Sequence, residues 1–381
     1  MRVPAAALRR HSIGQVNPSQ SLLELADFAL AHETPWPRDP AVGPAPGQQP
    51  FGVHHGDPEP FNRVRGPLHV RGGPAGVVWQ HGRELLAWGD PERADQTFSV
   101  AKTCLALLAG VAHARVLLPD VHEPVVRRVP GIGFDAGTNA EVTWEHLLQQ
   151  TSEWEGSCLG VPDQVDRWRH VAHDPRPAAA QPKGGARPLH RPGTYWEYND
   201  VRINQLALAL LHLFGRPLPE VLGEVLMTPL GARSRWAWQG YDDAWVTVGG
   251  RRVQSVPGGT HWGGGLSIGA RDLARLGQLL LDDGRIGPVG EGRGPIDAAW
   301  VRRMRSPCTI APFYGYLVWL NVTGSLFPAA SAEAFAMLGA GGHLVLMEPA
   351  LHAVVVARWL DPAATAEFVQ KAVTALRPTA R

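Results

Sequence analysis

The stretch FSVAKTCLALLAGVAHA, residues 98–114, decides how the rest of the chain is read. It is mostly apolar and too long for a strand, so it predicts a helix buried on all sides. At its start stand Ser99 and Lys102, an S-x-x-K pair. Residues three apart share a helix face, so the amine can reach the hydroxyl. Burial disfavours the charged amine, and a neutral amine can take the proton of a serine nucleophile. The helix N-terminus adds donors and a field that favours negative charge developing there. A lysine in an apolar helix needs a reason, because burying it unpaired is costly. The chain has only two others, Lys183 in a Pro/Gly-rich stretch and Lys371 near the C-terminus.

Outward from this helix the pattern changes on both sides. Residues 21–33 place Leu22, Leu25, Ala26 and Ala29 on one face of an amphipathic helix that Ser19 or Ser21 caps. A Pro/Gly-rich run, 34–73, reads as a long surface loop, and 76–88 as a β-hairpin turning at His81-Gly82. Helices are expected over 143–150, 201–214 and 221–227, with polar loops over 160–193. Towards the C-terminus comes a helix over 271–281. Strands follow over 314–320, 335–338, 343–347 and 353–359, then a last helix capped by Asp361. Strands at both ends and helices between them suggest an α/β domain, residues 1–90 and 240–381, closed by the two termini. A helical domain over 91–239 is inserted in it.

Composition removes several classes of function. Thirty-six basic against 35 acidic residues leave a net charge of +1, so no global field favours nucleic acid or an anionic membrane. Cys104, Cys158 and Cys308 form no C-x-x-C pair, and the 16 histidines show no H-E-x-x-H spacing, so neither a metal nor another cofactor is expected. Residues 1–15 lack a signal-like apolar run. No segment approaches about 18 uncharged apolar residues, so a soluble, cytoplasmic protein is the expectation.

A second motif, PGTYWEYND over 192–200, precedes the helix at 201. A tyrosine in a structured loop near a lysine can act as general acid or base. Serine to tyrosine spans about a hundred residues, and in that order the two motifs resemble those of the serine β-lactamase and penicillin-binding-protein superfamily. The likeness is greatest to class C enzymes and their esterase and amidase relatives. Residues 142–152 (VTWEHLLQQTS) resemble the family's helix ending in an H-T-S-G-like turn. Residues 263–277 resemble its G-G-L-x-S-T-A-x-D-L-A-R-F segment, and 347–356 its closing strand pair. WEYNDVRIN and HWGGGL are most similar to 6-aminohexanoate-dimer hydrolase-type proteins.

The resemblance implies a β-lactamase-like (DD-peptidase-like) fold, an antiparallel sheet flanked by helices with an inserted helical domain, and an active site at the domain interface. It makes Ser99 the acylated nucleophile, Lys102 its activating amine and Tyr198 the phenol that passes a proton to the leaving group. The oxyanion hole falls to the N–H groups of Ser99 and His343. Two departures bear on this. The family's Y-x-N is Tyr198-Asn199-Asp200 here, so either Asp200 replaces the amide or Asn199 acts from a shifted register. The family's K-T-G or H-x-G aligns with Ala340-Gly341-Gly342, without its cation, which the His343 imidazole could replace.

Further candidates around the substrate are Trp154 and Trp196, for an apolar acyl pocket, and His261, bordering the site. Glu153 and Glu155 alternate with Trp154 in a loop and read as solvated. The expected activity is hydrolysis of a small amide or ester through an acyl-Ser99 intermediate, with small-molecule substrates and a homodimer left open. A β-lactamase or DD-peptidase is the enzymatic alternative. A binding or sensor protein on the same fold is the alternative of another class.

Overall fold

A computed structural model describes residues 18–42, 57–171, 173–287 and 294–378. The sequence reading of residues 1–15, and of 43–56 within the long loop, lies outside the described residues.

The elements in chain order are α1 (Gln20–Ala31), β1 (Ala75–Gln80), β2 (Arg83–Trp88), β3 (Asp95–Gln96), α2 (Ala101–Ala114), α3 (Trp144–Leu148), β4 (Ser157–Cys158) and β5 (Val161–Pro162). Then follow α4 (Asp200–Phe214), α5 (Leu218–Leu222), β6 (Ala237–Gln239), β7 (Trp245–Val248), β8 (Arg251–Gln254), β9 (Gly265–Ile268), α6 (Ala270–Leu281) and α7 (Ala298–Met304). The chain closes with β10 (Trp319–Leu320), β11 (Phe335–Gly339), β12 (His343–Glu348), β13 (Ala353–Arg358) and α8 (Thr365–Leu376). Ser19, not Ser21, caps α1. The expected strand over 314–320 shrinks to β10, because Leu317 takes a left-handed φ of 53° in a turn closed by Gly315 N–H on Val318 O.

The main sheet is antiparallel in the order β10-β11-β12-β13-β1-β2, so the first hairpin and the last strands share it. Every residue of β12 and β13 is buried, as inner strands covered on both faces require. One face meets α6, where Gly277 lets the helix approach Val354, Met347 and Val345. A Cβ there would sit 2.8 Å from Val354. On the other face Trp88 packs on Phe368 of α8, and α8 packs on α1. The central helix α2 buries residues 101–112 without a break and packs on α4 and α7. Among the described residues, no single helix is long and apolar enough to cross a membrane.

His343, the first residue of β12, is 2 % exposed, and neither ring nitrogen has a hydrogen-bond partner. Its ring stacks on Phe98 and meets Trp359 edge-on at 4.3 Å. Burial, and then the Arg358 and Arg71 guanidinium groups, hold its pKa well below the usual value. The imidazole is therefore neutral and enclosed, and it does not replace the missing cation. Burial also pushes His173 down to about 4. For both, the unfolded chain takes up a proton below about pH 6.5 that the native state refuses. Stability present above that pH is lost as pH falls towards the depressed folded values, at about 1.4 kcal/mol per pH unit for each group. His343→Phe, which keeps an aromatic ring between Phe98 and Trp359, is expected to raise the thermal midpoint more at pH 5 than at pH 7. Equal gains at both values in thermal melts would show that His343 does not titrate as described.

Candidate active site

The chain approaches Ser99 through a pinned turn. Thr97 places its N–H and its hydroxyl on the Leu266 carbonyl of β9, at 2.8 and 2.9 Å. Arg358 donates to the carbonyls of Asp95 and Gln96 at 2.7 and 3.1 Å. Phe98 then takes a left-handed φ of 53°, an uncommon conformation for a bulky residue, which turns the chain into the short 3-10 segment Phe98–Val100 that opens α2. Ser99 is left half-buried at the mouth of the buried helix.

One turn on, Lys102 is 1 % exposed. Its Nζ lies 2.8 Å from Ser99 Oγ, 2.5 Å from Asp200 Oδ1 and 4.8 Å from the centre of the Tyr198 ring. The contact with Ser99 is a hydrogen bond, that with Asp200 an ion pair, and the Tyr198 ring presents its face. The amine is therefore ion-paired, not stranded in apolar surroundings.

Asp200 and Asn199 divide the work that the sequence left between them. Asn199 caps α4, its side chain accepting from the N–H groups of Val201 and Arg202 at 3.0 and 3.1 Å and donating to Asp163 O. Asp200 meets Lys102 with one oxygen. With the other it accepts from Arg169 Nη1 at 2.5 Å and lies 3.2 Å from His261 Nδ1. Burial pushes the Asp200 carboxyl up, but Arg169, Lys102 and His261 outweigh it and hold it well below the usual range. Tyr198 is 3 % exposed, its ring stacked on Trp319.

Behind Asp200 the ion pairs continue. Asp166 accepts the Asp200 N–H at 2.6 Å and pairs with Arg169 and Lys183, each at 3.0 Å. Lys183 also pairs with Asp57, and Asp57 meets His261 Nε2 at 2.7 Å. Asp57, Asp166 and His261 are close enough to hold a metal ion. A cation is already among them, the Lys183 ammonium, whose side chain is 7 % exposed. Among the described residues Lys102, Arg169 and Lys183 each pair with at least one of Asp57, Asp166 and Asp200, and the His261 ring lies between Asp57 and Asp200.

Other expected residues lie elsewhere. Trp154 is core, packed near Phe134 with its indole N–H on Gly133 O. Trp196 is 2 % exposed, behind Tyr198 among Phe313, Tyr314 and Trp319. His261 stands behind Asp200, away from the serine. Gly342 serves the backbone, since a Cβ there would meet Leu360 O at 1.6 Å. Glu155 is solvated, but Glu153 is completely buried and ion-paired with Arg187 and Arg202.

The expected oxyanion role of His343 is corrected by the sheet register. Asn321 N–H donates to Ala334 O, so β11 turns Ala334, and every second residue after it, towards its outer edge. Gly339 is turned the other way and pairs with His343 inside the β11–β12 ladder. Ala340, in step with Ala334, is exposed at the hairpin. The hairpin abuts the serine turn so closely that a Cβ on Gly339 would lie 2.2 Å from Thr97 O.

Sequence reasoning did not single out Arg169, Asp166, Asp57 or Gly259 for the site. The scarcity of lysines was the one signal that could have drawn attention to Lys183. Gly259 has an ordinary backbone conformation, yet a Cβ there would lie 3.3 Å from Lys102 Nζ and 3.8 Å from Ser99 Oγ.

Comparison with known proteins agrees with this fold. The family model described as Beta-lactamase matches residues 61–360. Similar solved structures include a penicillin-binding protein homologue from Caulobacter crescentus, with TM-score 0.56, 16% identity and 83% of this chain and 94% of that chain covered. A putative 6-aminohexanoate-dimer hydrolase from Bacillus anthracis has TM-score 0.55 and 17% identity, with 79% and 77% covered. EstCE1, a hydrolase with promiscuous acyltransferase activity, has TM-score 0.54 and 16% identity, with 80% and 93% covered. No curated protein matches.

Gly259→Ala is expected to leave the thermal midpoint nearly unchanged, because alanine tolerates this backbone conformation. The added methyl would crowd the Lys102–Ser99 pair and lower kcat/KM by about tenfold or more, at least 1.4 kcal/mol in barrier. An alanine variant as active as the parent would place the reacting groups away from this wall.

Proposed function

The chain belongs to the beta-lactamase family, and within it we propose a serine hydrolase that cleaves a small, uncharged amide or ester through an acyl-Ser99 intermediate. One observation carries the reading: Lys102 Nζ lies 2.8 Å from the hydroxyl of a serine at the mouth of a buried helix, beside Tyr198. In the proposed reaction the Lys102–Tyr198 pair starts one proton short, and Ser99 Oγ bonds to the substrate carbonyl carbon while its proton passes to that pair. Collapse of the tetrahedral intermediate expels the amine or alcohol, which takes up that proton. Water, deprotonated by the same pair, then attacks the acyl-enzyme and releases the acid and Ser99. The developing oxyanion is received by the Ser99 N–H and, on the register argument, by the Ala340 N–H; one such donor contributes about 2.7–4 kcal/mol.

Two features support an uncharged substrate. The buried cations around Asp200 are already tied to Asp200, Asp166 or Asp57, so none is offered to a substrate carboxylate. With the oxyanion N–H at Ala340, the cation position of the family's motif, three residues before that donor, falls on the buried and uncharged Met337. Tyr198, Trp319 and Phe313 stack as a buried aromatic wall on the side of Lys102 that Tyr198 covers. The names of two similar structures, a putative 6-aminohexanoate-dimer hydrolase and a hydrolase with acyltransferase activity, accord with amide or ester chemistry.

A fluorescent phosphonate probe tests the nucleophile. Labelling at Ser99, lost in Ser99→Ala together with all turnover, is the expected result. Residual turnover within about tenfold of the parent refutes the assignment. Tyr198→Phe keeps the ring and deletes the hydroxyl, and is expected to cost about 10²–10⁴ in turnover, the range of a general acid–base group.

Substrate preference is tested by kcat/KM for a short-chain nitrophenyl ester, an aminohexanoate dimer and nitrocefin. The neutral ester is expected to lead, because a carboxylate bound without a cation forgoes about 1.5–3 kcal/mol. Ala340→Lys is expected to move the ranking towards nitrocefin. Nitrocefin as the best substrate of the parent enzyme would favour a β-lactamase instead.

A further inference from the structure

We propose that Arg169 is a positioning residue for the Ser99–Lys102 pair and acts on it through Asp200. The inference rests on the acyl-hydrolase reading above. Arg169 comes from the Pro/Gly-rich segment before the tyrosine motif, yet its side chain is only 10 % exposed. A single atom of it, Nη1, reaches Asp200 Oδ2 at 2.5 Å, Asp166 Oδ2 at 3.0 Å and His261 Nδ1 at 3.3 Å.

The geometry gives this grip a direction. Rotation about one side-chain bond sets the plane of a carboxylate, so the oxygen facing Lys102 is kept in place in part through its twin. Arg169 holds the twin, with His261 beside it. The backbone of the same residue is held by Asp166, which accepts the Asp200 N–H at 2.6 Å and is itself paired with Arg169. Asp200 is thus fixed at main chain and side chain against one pair of ions. Lys183 and Asp57 close the cluster from behind, with His261 between Asp57 and Asp200.

Arg169 has one other route to the chemistry. Its Cζ lies 5.4 Å from the centre of the Tyr198 ring, and both charged groups over that ring, Arg169 and Lys102, are tied to Asp200. A residue acting through Asp200 loses its effect when Asp200 loses its charge. A residue acting through Tyr198, through the substrate or through general stability does not.

The experiment is a double-mutant cycle on the full chain, reading kcat and KM for a nitrophenyl ester in the parent, Arg169→Gln, Asp200→Asn and the double variant. Arg169→Gln is expected to lower kcat by about tenfold or more, with KM within about twofold, and to cost almost nothing further once Asp200 is Asn. Arg169→Lys, which keeps a charge for Asp200, is expected to restore part of the loss. Losses that multiply, or a rise in KM alone, overturn the proposal. Should Arg169→Gln fail to fold, Arg169→Lys is crossed with Asp200→Asn and judged by the same criterion. A parent enzyme without turnover or phosphonate labelling overturns the acyl-hydrolase reading and this role with it. An active parent with multiplying losses overturns the positioning role alone.

Discussion

An amine buried in the most apolar helix of the chain is the constraint from which the rest of the site follows. Lys102 has to lie there to reach Ser99, and at 1 % exposure it cannot rely on water. A buried cation is tolerated when paired and hydrogen-bonded, and removing one partner of such a pair costs about 3–5 kcal/mol. Asp200 answers Lys102, but a buried carboxylate then has needs of its own. Arg169 and His261 meet its second oxygen, Asp166 meets Arg169, and Lys183 and Asp57 complete the series. Each member satisfies the last and creates the demand for the next, until the cluster closes at Asp57 and His261. Such a cluster adds little net stability against an apolar core of equal volume. What it adds is a single arrangement of the atoms next to Ser99.

A second buried cluster does the same for the tyrosine motif. Arg202, on the first turn of α4, pairs with Glu153, Asp163 and Glu197, and Arg187 pairs with both glutamates. Burial pushes the Glu153 carboxyl up, but Arg187 and Arg202 outweigh it and hold it low. Asp163 also holds Asn199, whose side chain donates to its carbonyl. The two residues flanking Asn199 thereby face different ways: Tyr198 towards Lys102 and the aromatic wall, Asp200 towards the ion cluster. The sheet supplies the remaining fixed point, since the pairing of β11 with β10 and β12 determines which N–H groups of the hairpin are free.

Local signals were legible in the sequence and distant partnerships were not. The S-x-x-K pair could be read because its geometry is that of one helical turn. The longer helices and the six strands of the main sheet could be read because apolar spacing reports which face is covered, whereas the short strands β3 to β9 and the helix α7 were not. The carboxylate that answers Lys102 lies about a hundred residues away, and only the motif suggested it. Arg169 and Asp166 carry no pattern of their own; they look like ordinary charges in a Pro/Gly-rich loop, and burial alone makes them part of the site. Glu153 was read as solvated for the same reason, its partners being 34 and 49 residues distant. His343 was misread in a different way. Its position next to the hairpin glycines was right, but edge and ladder positions alternate along a strand, and a shift of one residue exchanges them.

The two departures from the family's motifs can be understood together. An aspartate in place of an asparagine brings an extra negative charge against Lys102, and left alone it would bind the amine too well for a group that exchanges a proton in the proposed reaction. Arg169 draws on the same carboxylate from the other side and so shares its charge between two cations. The aspartate and the arginine therefore act as one substitution, neutral in sum, in place of one amide. Because that sum is zero, it does not compensate for the cation absent from the hairpin. On the proposed acyl-hydrolase reading, the site keeps the groups for acyl transfer and lacks the positive charge that would draw an anionic substrate to it, so the change falls on what is bound rather than on how the bond is broken.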